Sequence, residues 1–129
     1  MFNQTKITKT TGVAPTQILF NVQNQMSVGV EIAHNFAGAV IENGRKIVKA
    51  GYPLAGDLTA RGTKFTAVGQ NAPAVGVLLH DVDVTDDDAN CSLLIWGFVN
   101  LDRVDATTAA LITSDVKTAL AGKVWFLKD

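Results

Sequence analysis

The chain has 129 residues, 47% apolar and 18% charged, which is enough to fill one core and excludes global disorder. Eleven basic and twelve acidic side chains leave a net charge of −1, which argues against a general nucleic-acid binder held by phosphate contacts. The single cysteine excludes an internal disulfide and a multi-thiolate metal site, and no run approaches the roughly 20 apolar residues of a membrane-spanning helix.

Residues 1–16 are polar, with five threonines (Thr5, Thr8, Thr10, Thr11 and Thr16) and no periodic apolar pattern. They lack the charged-then-apolar layout of a signal peptide, so the protein is expected to be made in the cytoplasm. Threonine favours extended backbone because its β-branch restricts χ1. A polar terminus cannot bury itself. It is either a frayed tail or an extended arm that adds a strand to a partner. The remainder, 17–129, is expected to be a single domain.

Residues 18–22 and 27–32 read as short strands, the second with Val28, Val30 and Ile32 alternating onto one face. Residues 39–48 read as a hairpin, because Asn43-Gly44 tolerates positive φ at both central positions of a type I′ turn. Gly51, Pro53 and Gly56 make 50–57 an irregular loop, and a short strand is expected at 64–68. The apolar runs 74–79 and 91–99 should pair antiparallel around a polar turn at 85–90. Both faces of the later run are apolar, which points to burial of one face by a neighbouring copy. One helix is expected near the C-terminus. Asp105 or Thr107 would cap it, Ala109, Ala110, Leu111, Ile112, Val116 and Leu120 would give its apolar stripe, and Gly122 would end it. Residues 124–127 close the chain as a strand. The class is mostly β with one C-terminal helix.

No constellation of side chains points to catalysis, and the chain is expected not to be an enzyme. His34 and His80 are the only histidines. Cys91 lies within an apolar strand, where a free cysteine behaves as a small hydrophobe. Counted as a calcium loop from Asp81, position 6 is Asp86 rather than glycine and position 12 is Ser92 rather than glutamate, so that pattern fails. The stretch is expected to be a solvated tip whose carboxylates Asp86, Asp87 and Asp88 repel one another. No cofactor and no metal are expected. Trp96, Phe98, Trp125 and Phe126 read as core or subunit contact, with a ligand platform as the alternative.

The even charge hides a polarity. Residues 1–64 carry seven bases and three acids, whereas 65–129 carry four bases and nine acids. Such an imbalance either orients the molecule on a larger surface or reflects two faces that differ in solvation.

Residues 49–57, the run Ala74-Val75-Gly76-Val77-Leu78, the strand Leu94-Ile95-Trp96-Gly97-Phe98-Val99, a late helix and a terminal strand follow one another in a familiar order. Over about 40–127 the chain resembles the small head decoration proteins of tailed bacteriophages, the lambda-type family and its head-fibre-base relatives. That resemblance implies a small β-sandwich or barrel-like domain preceded by an extended N-terminal arm. It also implies a homotrimer on the outer surface of the expanded capsid at local threefold positions, clamping neighbouring copies of the major capsid protein. Neither nucleic acid nor membrane is an expected partner. The arm would order by pairing with capsid strands, which places Phe2, Thr5, Lys6, Ile7, Thr8, Lys9 and Thr10 in the capsid-binding role. Leu94, Trp96 and Phe98 would lie at the trimer contact or in the core. A surface-displayed β domain binding a carbohydrate or small ligand through exposed aromatics such as Tyr52 and Trp96 is the alternative.

Overall fold

The structure, a computed structural model, describes residues 17–69 and 72–129. The arm residues Phe2 to Thr10 lie outside the described residues. Nine strands are described: β1 (Met26–Ile32), β2 (Val40–Glu42), β3 (Arg45–Val48), β4 (Pro53–Ala55), β5 (Thr66–Ala67), β6 (Gly76–Leu78), β7 (Val82–Asp83), β8 (Ala89–Asn100) and β9 (Val124–Leu127). A 3₁₀ turn (Leu101–Arg103) and two short helices, α1 (Ala106–Ala109) and α2 (Ser114–Ala119), join β8 to β9.

The larger sheet runs β9-β8-β6-β4-β5, with β1 also paired to β8; the smaller runs β2-β3-β7. Pairing is antiparallel throughout except that β9 lies parallel to β8, Val124 opposite Gly97. The 12-residue β8 is the spine, since it pairs with β1, β6 and β9 and bridges Leu19 at Val99.

Side chains alternate across a strand, so neighbouring residues of the spine enter different cores. Leu94 and Val77 belong to one core with Val99, Val116, Leu120 and Val124, under the helices. Leu93 and Leu78 belong to the other with Val30, Ile32, Val48, Phe65 and Val84, under the smaller sheet. The mostly β class is therefore observed, as two sheets with helices at the C-terminal end. Gly76 permits the close approach of β6 to β8, because a Cβ there would stand 2.5 Å from the Leu94 carbonyl oxygen.

The hairpin forms as its turn chemistry dictates. Asn43 (φ 52°) and Gly44 (φ 78°) both take the left-handed region, and Val40, Ile41 and Glu42 pair with Ile47, Lys46 and Arg45. Four expectations are corrected. Residues 50–57 are not simply a loop: Pro53, Leu54 and Ala55 are buried as β4, with proline tolerated as the first residue of the strand. Residues 18–22 make a single bridge at Leu19, after which Asn21 Oδ1 accepts the N–H groups of Gln23 and Asn24 and turns the chain. The expected strand at 64–68 is reduced to the two residues of β5.

The C-terminal helix is two helices. Asp105 caps α1, its side chain accepting from the Thr108 N–H, and Thr113 caps α2, accepting from the Val116 N–H. Thr113 thus restarts a helix rather than continuing one, and this break lets Ile112, Val116 and Leu120 all reach the core.

Candidate docking face

The smaller sheet covers only part of its side of the spine. Beyond Leu93 the register of β8 against β1 skips a residue, Met26 facing Trp96 while Ser27 faces Leu94. This bulge at Ile95 shifts the alternation by one residue. Val99, an odd residue, therefore shares the helix-side core with the even Leu94, and Trp96 and Phe98 turn to the opposite side.

Neighbouring strands extend that surface. Trp125 is the register partner of Phe98 on β9, Met26 that of Trp96 on β1, and the Phe20 N–H donates to the Phe98 carbonyl at 2.7 Å. The rings form one cluster: Phe98 stacks on Trp125 at 5.0 Å and 19°, and Trp96 meets both edge-on at 5.9 and 6.0 Å. Trp96, Trp125 and Leu127 are 38–39% exposed, Phe20 48% and Met26 57%. None of these six side chains is charged, and a contiguous apolar face is the kind of surface that marks an interaction site.

Of the three residues singled out for a subunit or core contact, Leu94 is fully buried. Trp96 and Phe98 belong to the open face. Phe20, Met26 and Leu127 were missed, because only the pairing of three segments with one spine brings them beside Trp96. Tyr52 is not part of the face. Its ring sits edge-on to Phe36 at 5.2 Å, half-buried beside the smaller sheet's core, and burial pushes its hydroxyl pKa up.

Polar chemistry gathers on the smaller sheet. Arg45 Nε and Nη2 donate to Asp83 Oδ2 at 2.8 Å and Asp86 Oδ2 at 3.0 Å. The Thr85 hydroxyl, Arg45 and the Thr85 N–H hold the Asp83 carboxyl down at about 2. Asp88 Oδ1 accepts from the His34 N–H and bonds the His34 ring, each at 2.9 Å, while Lys64 Nζ stands 3.4 Å from Oδ2. The His34 ring and N–H, with Lys64, bring Asp88 to about 2.

The acidic stretch is therefore no bare tip: Asp83, Asp86 and Asp88 are engaged. Among the described residues, ion pairs also join the basic half of the chain to the acidic half. Arg45–Asp86, Lys64–Asp88 and the 3.4 Å Lys49–Asp81 pair tie one half of the chain to the other.

Two hollows open on the surface of the described residues. One, of about 220 Å³, is bordered by Lys49, Asp81, Arg103 and Asp105. The other, about 200 Å³, lies between β4, β5 and the start of α2, and Tyr52, Ala67, Val68, Leu111 and Val116 help to line it. Desolvation raises the Cys91 thiol to about 11, the reverse of what a nucleophilic thiol needs. Among the described residues no group of three or more His, Cys, Asp or Glu side chains is placed to hold a metal ion, and no helix is long and apolar enough to cross a membrane. Comparison with protein-family models, with curated proteins and with solved structures finds no match.

Proposed function

We propose that the protein is a structural virion component that binds the outside of an expanded tailed-phage capsid as a homotrimer and clamps neighbouring copies of the major capsid protein. The observation that carries this reading is the charge-free aromatic face around Trp96, Phe98 and Trp125, held open on the most heavily paired strand of the fold. A rigid apolar platform suits assembly. It offers area without demanding a particular ligand, and symmetry multiplies weak contacts into firm attachment. The order of sequence elements shared with the decoration proteins supports the same reading. Residues 1–16 take the part of the arm that pairs with capsid strands, an attachment that uses backbone hydrogen bonds and asks little of side chains.

The test is light scattering of the full chain, alone and mixed with expanded and unexpanded shells. A trimer that saturates expanded shells at fixed stoichiometry and ignores unexpanded ones is the expected result. A protein that binds no shell overturns the reading. Glycan binding is the second reading, favoured by the exposed Trp96 and Trp125 rings. Signals on a glycan array that disappear in Trp96→Ala would favour it over shell attachment.

A further inference from the structure

Both tryptophans of the chain, Trp96 and Trp125, stand in the aromatic face. The face runs out to β9, the end strand of its sheet, which among the described residues pairs with β8 alone. An apolar face that reaches an open strand edge is where native chains lay a covering segment. We infer that residues 1–16 of the same chain are that segment, lying back across Leu127, Trp125 and Trp96 in the free protein.

Three observations single out this occupant. The first is where the described chain begins. The Asn100 N–H donates to the Ile18 carbonyl at 2.8 Å, Leu19 bridges Val99, and the Phe20 N–H donates to the Phe98 carbonyl. The segment thus runs antiparallel to β8 and leaves it past Asn100, where Gln17 Oε1 accepts the Leu19 N–H at 2.9 Å. The register partner of Asn100 on β9 is Leu127, so the chain departs at the margin of the face, with Phe20 already part of it.

The second observation is length. Residues 1–16 can span at most about 50 Å, and neighbouring strands lie only about 4.8 Å apart. The whole width from β9 through β8 to β1 is therefore in reach. The third is the tether itself. An attached segment meets its site at an effective concentration on the order of 1 mM, which a separate apolar partner in dilute solution does not match. Its composition agrees with the task. Phe2, Ile7 and Val13 are available for the rings, there is no acidic side chain, and Lys6 and Lys9 can keep their charge in water on long stems. Its five threonines favour the extended backbone that suits a strand edge.

Under the decoration reading the same residues pair with capsid strands, so docking would draw them off the rings and free the face on the shell. The inference does not need that reading, because it concerns the free protein and its test contains no shells.

The test is acrylamide quenching of tryptophan emission, which reads the face alone because the chain has no tryptophan besides Trp96 and Trp125. Full-length wild type is compared with a full-length variant carrying Phe2→Ser, Ile7→Ser and Val13→Ser, changes that all lie outside residues 17–129. Wild type is expected to be quenched less than the variant and to emit at shorter wavelength, by the same margin at every protein concentration. Where the triple variant aggregates, Ile7→Asp alone replaces it, with the same expectation. Equal quenching and equal emission in the two proteins overturn the inference. Shielding that wild type loses on dilution overturns it in favour of a second copy on the face.

Discussion

The two halves of β8 have the same partners in kind and different surroundings. Around Leu93 and Leu94 the strand is flanked by β1 and β6 and covered on both sides, by the smaller sheet and by the helix-side core. From Trp96 to Asn100 it is still paired, to β9 and to the Leu19 segment, and the helix side is still covered. The opposite side there presents aromatic rings to solvent. The difference lies in what covers the strand, not in the strand. Burial of one large apolar side chain contributes about 1.5–3 kcal/mol, so the first half supplies stability and the second keeps comparable surface available for another molecule.

The largest test of this contrast is Leu93→Ala. Leu93 is fully buried, and its truncation should destabilise the protein by about 2–5 kcal/mol in urea unfolding. A smaller loss should come from the layer that does the covering. In Gly44→Ala a residue at φ 78° acquires a Cβ, at an expected cost of about 1–2 kcal/mol through the hairpin. Trp96→Ala, in the open half, should cost only about 0.5–1.5 kcal/mol, the worth of its aromatic pairs. A Trp96→Ala loss equal to that of Leu93→Ala would end the comparison.

The smallest effect concerns the tie between the covering loops and the start of β8. The Asp88 carboxyl has its pKa lowered on folding, to about 2 from 3.8. The stabilisation from its partners is therefore present above the unfolded value and is lost as the pH falls through the folded one. Between about pH 4 and 2 wild type should lose a small increment of stability that Asp88→Asn no longer has to lose. Urea midpoints of the two proteins should accordingly converge toward acid.

What could be read from the sequence is what local chemistry decides. Asn43-Gly44 dictates its turn whatever surrounds it, and alternation at Val28, Val30 and Ile32 declares a half-buried strand. The apolar character of both faces of residues 91–99 was also legible. Its cause differs on the two halves, since Leu93 and Leu94 are covered within the chain and only the ring-bearing end stays open. Longer-range features were hidden. The bulge at Ile95 exists only against β1, and Phe20, Met26 and Leu127 join the face only through pairing. Thr113 fits a helix interior by spacing and a cap by chemistry, and packing of Ile112 chose the cap. The acidic stretch looked self-repelling because Arg45, His34 and Lys64 lie dozens of positions away along the chain.

The parallel β9 also sets an order of events in folding. It joins Gly97 to Val124, closing fewer than about 30 residues, whereas pairing Met26 with Trp96 closes about 70 and carries the larger loop-closure entropy. The spine, the helices and β9 thus close at a smaller entropic cost than β1 does, and β1 is expected to arrive on a template already formed. The aromatic rings of Trp96, Phe98 and Trp125 all belong to that early unit. Because β9 follows every other described strand along the chain, this order belongs to refolding of the whole chain, in which the ring-bearing surface is expected to be assembled before β1 pairs.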